Sequence, residues 1–216
     1  MRRLPVYLLI DTSGSMYGEP IESVRNGLQS LLSSLRQDPY ALETAFLSVI
    51  EFNTQANQLV PLTDLMSFQA PELTPSGVTA LGEALTLLAD RLDTEVKKTT
   101  MEDKGDWRPL VFIFSDGAST DDLQKGIEAL KKVKTGIVVA CAAGQDARED
   151  ELRKITESVV KLDSADSKTI TAFFQWVSAS ISVNSQKVES GESEVSELSE
   201  LPPPPPEINV VDMTKH

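Results

Sequence analysis

The chain has 216 residues and is 40% hydrophobic, enough to build one substantial core with a segment left over. Twenty basic residues against thirty-three acidic ones give a net charge of -13; that surface repels nucleic-acid phosphates and anionic lipid heads, and a divalent cation or a basic protein patch suits it better. The one cysteine excludes an internal disulfide or a cysteine-rich zinc site, and the one histidine, His216, ends the chain, which argues against histidine acid–base chemistry.

Met1-Arg2-Arg3 and the apolar run behind it resemble a leader peptide only superficially. The run is short and passes straight into Asp11, so a core strand explains it better. No segment is long enough to cross a membrane, and the cytoplasm is the expected location. Val6-Tyr7-Leu8-Leu9-Ile10 is continuously apolar, as a strand buried on both faces should be. Pro20 then occupies a first helical position, and Ile21, Val24, Leu28, Leu31, Leu32 and Leu35 follow at helical spacing.

Residues 44–52 read as a second strand, and 58–62 as a short edge strand beside it. A helix is predicted from about Ala80, with Leu81, Leu85, Leu88 and Leu92 inward. Leu110-Val111-Phe112-Ile113-Phe114 is another core strand, ending at Ser115-Asp116-Gly117. A helix over 121–133, a strand over 136–142 containing Cys141 as a small core residue, and a helix over 149–157 come next. A short strand at 159–162 precedes a last helix carrying Ile170, Phe173, Phe174, Val177 and Ile181.

Strands alternating with helices of this length predict a doubly wound α/β fold. Its central sheet is mainly parallel, with helices on both faces and one short antiparallel edge strand. Composition changes after Asn184. Residues 185–216 hold seven acidic residues, two lysines, no aromatics and five consecutive prolines at 202–206. The expected division is a folded domain over 1–184 and a disordered acidic, proline-rich tail over 185–216. The run Ile208-Asn209-Val210-Val211 within it has the character of a short docking peptide.

In open α/β sheets, ligands bind beyond the carboxyl ends of strands where the winding direction reverses. Two features fall at such ends. One is Asp11-Thr12-Ser13-Gly14-Ser15 and the other is Asp116. Asp11, Ser13 and Ser15 at i, i+2, i+4 turn three oxygen side chains to one side of an extended segment, and Gly14 lets the loop bend to converge them. Such oxygens suit hard cations, yet they are too few to fill an octahedron held at about 2.1 Å. Taken singly, each residue has an ordinary use. Asp11 and Ser15 can satisfy turn amides, Thr79 can cap its helix, and Ser119 with Asp122 can form a capping box.

Asp-x-Ser-x-Ser after a buried first strand resembles the opening of the metal-ion-dependent adhesion site of von Willebrand factor A domains. Ser76-Gly77-Val78-Thr79-Ala80-Leu81-Gly82 resembles the segment from which that family takes a threonine, and Phe112-Ile113-Phe114-Ser115-Asp116-Gly117 the one from which it takes an aspartate. The resemblance implies a metal set of Asp11, Ser13, Ser15, Thr79 and Asp116. Ser13 and Ser15 would bind directly, Thr79 directly or through water, and Asp11 and Asp116 largely through waters. The implied metal is Mg²⁺, with Mn²⁺ or Ca²⁺ as alternatives, and a protein partner's Asp or Glu completes the coordination. Met16, Tyr17 and Gly18 would form the rim.

Within the family, the opening from Arg2 to Met16 and the Trp107-Arg108-Pro109 lead resemble the TerY-like bacterial group associated with tellurium resistance. That implies a non-enzymatic scaffold or adaptor in a stress response, beside a protein kinase and a phosphatase. The zinc ribbon that some relatives carry is missing from a chain with one cysteine. The enzymatic rival is a Mg²⁺-dependent phosphatase of the haloacid dehalogenase type. It needs a second aspartate where Ser13 stands, and a hydroxyl cannot act as acid–base at neutral pH. A dinucleotide-binding enzyme would need a glycine-rich fingerprint that does not follow the first strand.

Overall fold

The first strand, β1 (Leu4–Asp11), is buried along its whole length. Its side chains alternate, Val6, Leu8 and Ile10 joining one apolar cluster and Tyr7 and Leu9 another, because successive residues of a strand face opposite sides of the sheet. A computed structural model describes residues 2–211. In chain order the further elements are α1 (Glu19–Gln37), α2 (Pro39–Thr44), β2 (Ala45–Phe52), β3 (Ala56–Asp64), α3 (Leu81–Glu95) and β4 (Leu110–Ser115). Then come α4 (Leu123–Leu130), β5 (Val138–Ala143), α5 (Glu149–Ile155), β6 (Ser158–Leu162), α6 (Ser167–Ser190) and β7 (Asn209–Val210).

Among the described residues the strands form a seven-stranded sheet in the order β3-β2-β1-β4-β5-β6-β7. The pairs β1/β2, β1/β4, β4/β5 and β5/β6 are parallel. Helices α1, α2 and α6 cover one face, where Leu28, Leu31, Phe173 and Phe174 pack on the outward-turned residues of β1 and β4. Leu85 and Leu88 of α3, Ile127 of α4 and Leu152 of α5 pack on the other face. This is the doubly wound architecture expected.

The antiparallel edge strand expected over 58–62 is β3, and two features beyond it differ from expectation. Strand β3 pairs antiparallel with β2 as an edge strand, and its Pro61 is tolerated there because an outer edge asks for no ladder donor. A second antiparallel edge strand, β7, pairs with β6 through Val160↔Val210 and Lys161↔Asn209. The boundary expected at residue 184 falls inside α6, which runs on to Ser190 and stops at Gly191 in the left-handed conformation (φ 72°). Residues 185–190 belong to α6, and 191–211 lie against the domain; residues 212–216, His216 among them, lie outside the described part.

This segment needs no core of its own. Val195, Leu201 and Ile208 are buried against the domain, and the Trp176 indole N–H donates to the Pro202 carbonyl at 2.7 Å. Lys168 pairs with Glu207 at 3.2 Å. The docking peptide expected at 208–211 thus has its dock on its own domain. A run of prolines also has less backbone freedom to lose on being laid down.

Helix α2 was not foreseen. It is only six residues long, with Asp38 capping the amides of Tyr40 and Ala41 and Pro39 in its first turn. Among the described residues no helix is long and apolar enough to cross a membrane.

Candidate metal centre

The winding direction reverses between β1 and β4, which are neighbours in space but not in sequence. Asp11 is the last residue of β1, and Asp116 follows the last residue of β4. The topology alone therefore brings the two carboxylates to one crevice.

Asp11 is fully buried. Its Oδ1 accepts from the Ser13 amide at 2.8 Å and its Oδ2 from the Ser115 hydroxyl at 2.7 Å. The Ser15 hydroxyl donates to Asp116 Oδ1 at 2.8 Å. With that proton committed, the Ser13 hydroxyl donates to Ser15 Oγ across the 3.0 Å between them. Four of the five expected residues are thus joined in one chain of hydrogen bonds.

Thr79 reaches the same place by another route. Its backbone is doubly bonded to Thr120, its N–H donating to Thr120 Oγ1 at 3.1 Å and its carbonyl accepting from Thr120 N at 2.9 Å. Its Oγ1 lies 3.6 Å from where a side chain on Gly117 would begin, so the hydroxyl sits against the Asp116-Gly117 turn. That hydroxyl has no hydrogen-bond partner among the described residues. Thr79 does not serve as the helix cap that was its ordinary alternative; Ala80 holds the N-cap position of α3.

The loops are spliced to the sheet and to each other by main-chain bonds. Thr12 N donates to Phe52 O, Ala80 N to Asn53 O, Ser76 N to Thr12 O, and Gly14 N to Gly77 O. The last contact gives Gly14 its reason. The sharp bend belongs elsewhere, to Gly18 (φ 87°) and Gly77 (φ 65°). At Gly77 a Cβ would also collide with the Thr54 side chain.

Burial pushes the Asp11 carboxyl above its usual range, and hydrogen bonds from Ser13 and Ser115 pull the other way. Asp116 is pushed up to about 6, first by burial and next by the negative Asp11. No lysine or arginine pairs with either carboxylate among the described residues. The site is two poorly compensated carboxylates and three hydroxyls, all hard oxygen donors, which fits a hard divalent cation. Among the described residues no group of three or more His, Cys, Asp or Glu could hold a metal, so a cation here must use the hydroxyls.

Around the site Tyr17 and Val78 are 81% and 49% exposed. Met16, expected on the rim with Tyr17, is fully buried in the core instead. An open cavity of about 300 Å³ adjoins Ser15 and Asp116, with Gly144, Asp146, Asp163 and Ser164 among its lining. Three contributors had no individual place in the expected set. Ser115 carried a signal, standing beside Asp116 at a strand end. Asn53, whose amide donates to Thr12 Oγ1 at 3.2 Å, and Glu51, which accepts from that hydroxyl at 3.2 Å, carried none because they meet it across the sheet.

No curated protein matches the chain by sequence. Solved structures are similar in fold at low identity. Proximal thread matrix protein 1 from the mussel byssus is 18% identical over 82% of this chain and 48% of its own, with a TM-score of 0.62. The ArnB paralog VWA2 from Sulfolobus acidocaldarius is 14% identical over 90% of this chain and 46% of its own, with a TM-score of 0.58. The pilus adhesin SpaC from Lactobacillus rhamnosus GG is 15% identical over 84% and 31%, with a TM-score of 0.66. The chain therefore spans less than half the length of each of these proteins. The mussel protein is also known with a zinc-occupied metal-ion-dependent adhesion site. The family model of the von Willebrand factor type A domain matches residues 6–175, most of the chain. The chain belongs to the von Willebrand factor type A domain family, whose members commonly serve as protein-interaction or adhesion modules.

Proposed function

We propose that the chain is a metal-dependent, non-enzymatic protein-binding module in which Asp11, Ser13, Ser15, Thr79 and Asp116 hold a divalent cation. Mg²⁺ is the first choice, with Mn²⁺ or Ca²⁺ as alternatives. When bound, the cation supplies an electrophilic point to which a carboxylate of a protein partner can attach. The observation that carries this reading is the pairing of Asp11 and Asp116 through the Ser13 and Ser15 hydroxyls with no basic side chain among the described residues to balance them. The mussel protein with zinc in its adhesion site supports a divalent ion in a site of this family.

The chain's own residues have distinct tasks. Asp11 holds the Ser13 amide and Ser115, which fixes the loop; Ser15 and Asp116 face outward, where a partner can approach. Tyr17 and Val78 offer apolar surface on either side. In its cellular setting we read the module as a scaffold or adaptor of a tellurium-resistance-type stress response, with a protein kinase or phosphatase as partner. The resemblance of residues 2–16 and 107–109 to that group is what supports this.

Calorimetric titration of Mg²⁺ into wild type and Asp11→Ala, followed by capture of candidate kinase and phosphatase with and without chelator, tests both levels. Wild type should bind, and Asp11→Ala should bind at least about tenfold more weakly. Capture should disappear with chelator. Capture indifferent to chelator, or no Mg²⁺ or Mn²⁺ binding at all, would sink the reading. A phosphomonoester assay should give background turnover only.

A further inference from the structure

Helix α3 starts directly behind Thr79, and its own N-cap residue, Ala80, has no side chain that can accept a hydrogen bond. The amides of its first turn would be left without partners, since nothing earlier in the helix can accept from them. They find their acceptor in another loop. Asp121 Oδ1 accepts from Gly82 N at 2.9 Å and its Oδ2 from Glu83 N at 2.7 Å. Asp121 lies in the loop that joins Asp116 to α4.

That loop is itself pinned. Ser119 Oγ donates to Asp121 Oδ1 at 2.8 Å, and Ser119 N to Glu151 of α5 at 2.7 Å. Thr120 closes the reciprocal pair with Thr79 described above. Gly82 and Gly126 lie so close that a Cβ on either would strike backbone of the other segment. The two strand-end loops that bring Thr79 and Asp116 therefore meet as one block. Ser119 and Asp122 do not form the capping box open to them; Asp122 caps its own helix through Lys125 N at 3.0 Å.

We propose that Asp121 is a positioning residue of the metal centre. By capping α3 from the neighbouring loop it sets the separation of Thr79 from Asp116, and hence the affinity for the cation, without touching the cation. The inference rests on the reading of these residues as a divalent-cation site. Its physical basis is two-handed: Asp121 uses both carboxylate oxygens on consecutive amides, so the loop cannot slide along the helix without losing one bond. A carboxylate is also the favoured charge at a helix N-terminus.

Asp121 has a built-in control one residue away. Asp122 also caps a helix, but its side chain serves the helix that follows in its own segment. Mg²⁺ affinity by calorimetry and thermal unfolding are measured on the full chain as wild type, Asp121→Ala, Asp121→Asn and Asp122→Ala. Asp121→Ala should weaken Mg²⁺ about tenfold, the range seen when a group that orients metal ligands is removed. Asp121→Asn, with one acceptor oxygen left for two amides, should lose less. Asp122→Ala should lower the melting temperature comparably yet leave the affinity at the wild-type value. Hydrogen exchange at Gly82 and Glu83 should accelerate most in Asp121→Ala and not in Asp122→Ala.

A folded Asp121→Ala with wild-type affinity overturns the inference and leaves the metal site standing. Equal weakening by Asp122→Ala also overturns it, because general stability would then explain both. Wild type that binds no cation removes the metal reading, and this inference with it. If Asp121→Ala does not fold, Asp121→Asn decides, unchanged affinity being the overturning result.

Discussion

At the scale of single residues, the site depends on where each proton goes. Ser15 is the hinge of the chain, accepting from Ser13 and donating to Asp116, and it is exposed. Ser15→Ala should therefore weaken Mg²⁺ by about tenfold while moving the melting temperature little, since surface substitutions away from packed features typically cost within about 0.5 kcal/mol. Gly77→Ala makes the opposite case. It puts a Cβ at positive φ and into Thr54, so it should cost about 1–3 kcal/mol of stability by thermal unfolding and loosen the loop behind Thr79.

The spacing of Asp11, Ser13 and Ser15 was legible because local geometry alone turns them together. Asp116 was legible from its place at the carboxyl end of a strand, and Thr79 only from family resemblance. What joins them to the rest, Thr120, Asp121 and Asn53, was not, since those partners meet across strands and loops far apart in sequence.

At the scale of elements, the apolar runs translated well into strands and the amphipathic stretches into helices. The long period in α1 put Val24, Leu28, Leu31 and Leu35 in the core as expected. The ends drifted by a few residues, because capping and not hydrophobicity decides where a helix stops. Helix α4 closes at Leu130, short of 133, and α2 is too short to show a period.

The close fit of α1 on α6 gives a test. A Cβ at Gly27 would run into the Phe174 ring, so Gly27→Ala should lower stability by about 1–3 kcal/mol in spite of its better helix propensity. Strand β5 gives another. Cys141 is completely buried and its thiol is pushed well up by that burial, so it should resist alkylation at neutral pH until the chain unfolds.

At the scale of the whole molecule, the departure from expectation is the segment after residue 190. Acidity and missing aromatics leave it without a core of its own, and α6 and β6 offer it a ready surface. Three buried apolar side chains, Val195, Leu201 and Ile208, and the Trp176 indole bond do the work. Truncation after residue 190 should cost several kcal/mol, at roughly 1.5–3 kcal/mol for each fully buried apolar side chain as an upper bound. Denaturant unfolding measures it. Mg²⁺ affinity of the remaining folded protein should not change, because none of the five site residues bonds to the described residues of that segment.

The main-chain splices between the loops and the sheet have a mechanical meaning. A partner pulling on the centre would load Thr12 against Phe52 and Ala80 against Asn53, at the ends of β1 and β2. Strand β1 is hydrogen-bonded on both sides, by β2 and by β4, and it runs lengthwise away from the point of attachment. Tension would reach the core as shear shared over two parallel ladders, the arrangement in which many hydrogen bonds must fail together and not one after another.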